Sequence, residues 1–136
     1  MLSLNYNSMA KERIQKLRCG GTMSEAMFWS FIRSALRQKS RWWKPISMCK
    51  LEAKRPYVGS NKRQKFEYQC NYCKKYFPEK QINVDHKIPA GSLNNADDLP
   101  GFVTRLFCEV NHLQCLCTKC HDIKTLKEKP IKIKKV

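Results

Sequence analysis

Acidic side chains are scarce in this chain. Eleven Asp and Glu stand against 27 Lys and Arg in 136 residues, a net charge of +16. That imbalance sets up a field suited to a polyanion, and nucleic acid is the default partner. Long apolar runs are also lacking, because Arg, Lys, Ser or Gln interrupts each stretch, which excludes a membrane-spanning helix. Met1 to Ala10 has no basic region followed by an apolar core and cleavage site. Its eight cysteines are therefore not read as a secreted disulfide framework, and a soluble, cytoplasmic protein in a reducing compartment is expected. There is no internal repeat beyond two CxxC units, and only three histidines. The length allows one small domain with an appended arm, and small cores need disulfides, metals or partners to hold them.

What charge there is lies unevenly. Residues 1–69 carry 15 Lys and Arg against 4 Glu, and residues 70–136 carry 12 against 7 acids. We read residues 1–61 as a basic, mainly helical arm, residues 62–129 as the functional domain, and residues 130–136 as a basic tail. Met1 to Gly21 is a short helix or unstructured, ending at Gly20-Gly21. Thr22 and Glu25 suggest a capping box before a helix from Met23 to Gln38 with Phe28, Ile32, Ala35 and Leu36 inward and Met27 and Phe31 widening that face. Pro45 opens a second helix reaching Lys54, and Arg55 to Asn61 reads as a linker. Strands are expected around Phe66 to Cys70, Ile82 to His86 and Leu113 to Leu116, with a loop from Pro89 to Gly101. Helices are expected over Phe102 to Val110 and Thr118 to Lys129.

The cysteines are what stand out. Cys70 and Cys73 form one CxxC pair, and Cys117 and Cys120 another. Two intervening residues let a tight turn aim both sulfurs at one ion, so two pairs can surround a zinc tetrahedrally. The bland alternative is a set of buried reduced thiols. Cys19, Cys49, Cys108 and Cys115 lack the paired spacing. Cys115 shares a strand face with Cys117 and offers an alternative ligand, although only Cys117 completes a CxxC.

All three histidines, His86, His112 and His121, fall between or beside these pairs. Asp85 is a hard oxygen ligand, His86 a candidate general base, and His121 starts a helix that can project towards them. Phosphodiester hydrolysis needs such parts: a base for water, a divalent ion for the developing charge, and cations along the backbone. Adjacent residues of a regular strand point to opposite faces, so Asp85 and His86 serve one site only if the strand ends or twists there. Pro89, just beyond, favours an ending.

The series Cys70-x-x-Cys73, Val84-Asp85-His86-Lys87-Ile88-Pro89, His112-Leu113-Gln114-Cys115-Leu116-Cys117 and Cys120-His121-Asp122-Ile123-Lys124-Thr125 resembles the HNH endonuclease family. The similarity is greatest to its small phage-encoded, homing-type members and covers about residues 66–127. It implies an α+β fold with a ββα-metal (His-Me finger) core, stapled by a structural zinc on Cys70, Cys73, Cys117 and Cys120. It further implies His86 as general base, and Asp85 and His121 as ligands of a catalytic divalent ion. Mg or Mn suits hard oxygen ligands, and the histidine also admits Ni or Zn. The family's middle Asn slot is held here by His112, with Asn111 one residue early, and either can fill it. His112 is favoured on register.

The function so implied is a metal-dependent endonuclease that nicks or cuts duplex DNA in a phage-infected host cell. Genome processing during packaging is an alternative purpose, and a zinc-stapled DNA-binding module without cleavage is an alternative class. Arg33, Arg37, Arg41, Lys44, Lys62, Arg63 and Lys65 are the expected phosphate contacts, joined by Lys124 and Lys127 on the last helix. Trp42 and Trp43 suit either stacking on bases or packing in a small core. A monomer or weak dimer with one active site per chain would nick one strand at a time.

Overall fold

The computed structural model describes residues 14–129, and a turn at Cys19, Gly20 and Gly21 leads into the first helix. Gly20 and Gly21 take φ values of +64° and +86°, a region that glycine enters without steric cost. The turn closes with a bridge between Arg18 and Met23. The expectations for residues 1–13 and for the basic tail lie outside the described residues.

Helix α1 runs Glu25–Ser40 and is capped by Ser24, whose hydroxyl accepts from the Met27 amide. This corrects the capping box expected from Thr22. The Thr22 hydroxyl donates to the Cys19 carbonyl within the preceding turn, and Glu25 binds Arg18 and the Trp29 indole. The apolar face is also narrower than its periodicity suggests. Trp29 is buried with Phe28, Ile32 and Leu36 beside it, whereas Met27, Phe31 and Ala35 stay exposed. Helix α2 spans Lys44–Ala53, with Pro45 in its first turn, where the missing amide costs nothing.

The expected linker is in part strand. β1 (Lys54–Pro56) pairs antiparallel with β2 (Phe66–Gln69), which pairs in turn with β3 (Tyr76–Phe77). Pro56 is tolerated because β1 is an edge strand. The boundary expected between residues 61 and 62 falls in the connection between β1 and β2.

A second sheet holds β4 (Ile82–His86) and β5 (Leu113–Cys117), antiparallel, with Asp85 opposite Gln114 and His86 opposite Leu113. All five residues of β5 are buried, since α2 and the last helix, α4 (Thr118–Glu128), both pack against it. Between the strands, α3 covers Leu99–Leu106, starting earlier than the expected Phe102 and ending sooner than Val110. Pro100 and Gly101 read as loop residues, but a proline is at home in a first turn.

The described residues form a mixed α+β fold with two small sheets and two apolar clusters. One gathers Tyr68, Ile82, Leu113, Leu116 and the inner cysteines; the other joins Trp29 of α1 to Phe102 and Leu106 of α3. No helix among the described residues is long and apolar enough to cross a membrane. Leu116 is fully buried and Leu126 on α4 is 69% exposed. Leu116→Ala should therefore lower the unfolding free energy by about 2–5 kcal/mol, and Leu126→Ala by less than about 0.5, in denaturant titrations.

Candidate metal centre and polar site

The first CxxC pair sits in a knuckle between β2 and β3. The Lys74 amide closes it on the Cys70 carbonyl, with Lys74 at φ +62°, a left-handed turn that a non-glycine residue adopts only at some cost. The second pair lies at the junction of β5 and α4, where the Cys117 sulfur caps the helix by accepting from the Cys120 amide.

The sulfurs of Cys70, Cys73, Cys117 and Cys120 all lie within 4.8 Å of one another, and those of Cys73 and Cys117 are 4.0 Å apart. A tetrahedral zinc with bonds of about 2.3 Å needs sulfur separations of about 3.8 Å, so a slight contraction of this cluster would hold the ion. Burial pushes the Cys70 thiol up, but backbone amides at Cys117, Cys73 and Tyr72 outweigh it and bring its pKa down to about 6. Hydrogen bonding to Cys117, with burial, pushes Cys120 up to about 12.

The ambiguity between Cys115 and Cys117 is resolved by packing. Cys115 turns to Cys49 on α2, sulfur to sulfur at 3.9 Å, and takes no part in the four-sulfur cluster. That contact raises the pKa of Cys49 and lowers that of Cys115.

A polar site lies at the end of β4. Asp85 is largely buried, with its side chain 11% exposed. Its Oδ2 accepts from Gln114 Nε2 at 3.0 Å and pairs with Lys124 Nζ at 3.2 Å, while Oδ1 lies 3.7 Å from Nε2 of His121. Gln114 in turn accepts from Asn71 Nδ2 at 2.8 Å, which ties Asp85 to the cysteine knuckle. Two ligands on bonds of about 2.1 Å stand about 3.0–3.7 Å apart at angles of 90–120°, so Oδ1 and Nε2 are spaced for one divalent ion. Among the described residues, only the four cysteines form a cluster of three or more such ligands, so Asp85 and His121 would hold an ion with open positions left over.

His86 turns elsewhere. Its Nε2 lies 2.9 Å from the Leu106 carbonyl at the end of α3. A carbonyl only accepts, so Nε2 carries the proton and Nδ1 is the free basic nitrogen. The ring forms one wall of a groove of about 570 Å³ against α1. Asp85 and His86 therefore engage different elements, as strand alternation requires, and β4 ends at His86.

The remaining expected residues divide. Lys124 is only 7% exposed. It contacts Asp85, Glu128 and the His86 carbonyl, and these carboxylates raise its pKa against the effect of burial. Lys127 is exposed on the same helix, as are Lys44 at the start of α2 and Lys62, Arg63 and Lys65 in the β1–β2 connection. Arg33, Arg37 and Arg41 line the groove beside His86. Trp42 is 81% exposed, whereas the Trp43 indole donates to the Cys108 carbonyl at 2.6 Å and packs edge-on to Phe107. His112 is exposed and its backbone carbonyl accepts from the Lys87 amide; Asn111 lines a separate cavity with Lys87 and Gln114. Sequence reasoning missed Gln114, Asn71 and the Leu106 carbonyl. Gln114 follows Leu113 in a strand pattern that marks it only as polar, and a backbone carbonyl has no signature at all.

No protein-family model, curated protein or solved structure matches this chain.

Metal analysis of reduced, zinc-replete protein should give one zinc per chain. Cys73→Ser should lose it, while Cys115→Ala should retain it; loss in both variants would place Cys115 among the ligands.

Proposed function

We propose that this protein is a metal-dependent DNA endonuclease of the HNH type, with a zinc-stapled ββα-metal core formed by β4, β5 and α4. The observation that carries the reading is the approach of Asp85 to His121 at the end of β4, next in sequence to a half-buried histidine with one free ring nitrogen. The resemblance over residues 66–127 points the same way.

Asp85 Oδ1 and His121 Nε2 would hold a divalent ion, whose charge would stabilise the phosphorane and the leaving 3′ oxygen. Asp85 keeps its orientation because Oδ2 is already engaged by Gln114 and Lys124. The Leu106 carbonyl holds the His86 ring with Nδ1 free. Asp85 and His86 leave β4 on opposite faces, so a scissile phosphodiester reaches both the Asp85 and His121 pair and the His86 ring only by lying over the end of the strand. His86 Nδ1 takes a proton from water, the water oxygen bonds to phosphorus, and the bond from phosphorus to the 3′ oxygen breaks. The leaving oxygen takes its proton from solvent. Lys127, Lys44, Lys62, Arg63 and Lys65 are exposed for backbone contacts, and duplex DNA is the substrate that the charge favours. A homing-type role in a phage-infected cell is the preferred setting, with genome packaging as the other. One site per chain implies nicking unless two copies act together.

The test is plasmid cleavage with Mg, Mn or Ni. Wild type should nick supercoiled DNA, and His86→Ala should lower kcat by about 10²–10⁴-fold with zinc content unchanged. Equal behaviour of the two proteins with every metal would favour a zinc-stapled DNA-binding module.

A further inference from the structure

Arg33, Arg37 and Arg41 succeed one another at four-residue intervals on one face of α1. Arg41 lies just past the last helical residue, but at φ −58° and ψ −26° it continues the helical register. Four residues of helix rise about 6 Å, so the three guanidinium stems span about 12 Å. One strand of duplex DNA presents a phosphate every 3.4 Å or so of axis, and a span of that length covers several.

These arginines share their groove with His86, and the serines Ser30 and Ser34 add hydroxyl donors. No Asp or Glu lines it. None of the three guanidiniums has a carboxylate partner among the described residues. Arg37 is further constrained, because it lies over the Phe102 ring at 5.8 Å. Burial and the charge of Arg33 together lower its pKa. All three arginines are exposed, yet they line one groove with no counter-ion, and an anion there offsets their mutual repulsion.

We infer that α1 is a wall of the reaction groove, and that Arg33, Arg37 and Arg41 grip the duplex DNA phosphates flanking the bond presented to His86. The inference rests on the reading of His86 as general base, although the arginines lie outside the residues that carry the resemblance. On this view the arm guides the substrate into the site as well as adding affinity.

The experiment titrates full-length, zinc-loaded protein with a 12-base-pair duplex, without added Mg, Mn or Ni, and follows the His86 ring and arginine side-chain NMR signals. The signals of His86 and of Arg33, Arg37 and Arg41 should shift together at one affinity. The triple variant R33Q/R37Q/R41Q, with zinc content and thermal midpoint retained, should lose the His86 shift. Its log–log dependence of affinity on salt should flatten by about 2–3. Arginine signals that stay still, or a His86 shift that survives in the triple variant, would overturn the inference. Plasmid cleavage separates it from the functional reading. If wild type fails to cut with Mg, Mn and Ni alike yet the signals shift together, the groove stands as a binding site and the nuclease reading falls. If wild type cuts and the triple variant cuts with unchanged kcat/KM, the groove falls and the nuclease reading stands.

Discussion

Convergence of four sulfurs is the constraint on which the rest of this structure depends. Cys70 and Cys73 belong to the turn between β2 and β3, and Cys117 and Cys120 to the junction of β5 and α4. Among the described residues neither sheet exceeds three strands, and the apolar core is split between two clusters. Sheets this small are marginal on their own. Bringing the two turns within sulfur contact ties one sheet to the other and sets the direction in which α4 leaves β5. A metal such as zinc bound there adds its binding energy to folding, because the scattered thiols of an unfolded chain make no such site.

From that junction the polar site follows by register. β5 pairs with β4 so that Gln114 stands opposite Asp85, and α4, starting at Thr118, carries His121 and Lys124 back over the same carboxylate. A carboxylate so little exposed persists only when its lone pairs are engaged, and here an amide and an ammonium engage one oxygen while the other faces an imidazole. Asn71 extends the network into the cysteine knuckle itself. The site's geometry and the sulfur cluster are thus mechanically one unit. The groove beside His86 is built differently, by packing α1 on α3 through Trp29, Phe102 and Leu106.

Much of this was legible in the residues. The four clustered cysteines, strand β4 and the last helix follow from spacing and periodicity, and the meeting of Asp85 with His121 accords with what the family resemblance implies. Smaller features escaped for identifiable reasons. Thr22 and Ser24 both suit a helix cap, and only the turn at Gly20-Gly21, which engages the Thr22 hydroxyl, decides between them. Arg55-Pro56 has the composition of a linker, and becomes strand because β2 lies beside it. Helical periodicity alone favours Phe31 over Trp29, and a moderate rotation of the buried face brings Trp29 inward and leaves Phe31 out.

By itself the amino-acid sequence determined the charge, the paired thiols, the periodic faces and the residue types able to carry hydrolytic chemistry, because these are local properties of composition and spacing. Tertiary structure alone decided which neighbour each of those residues meets. Cys115 pairs with Cys49 and leaves Cys117 to the cluster; Lys124 spends its charge on Asp85 and Glu128; and His86 turns away from Asp85 to face three arginines of α1. Adjacent residues on a strand must part, and what each then finds depends on segments distant in the chain.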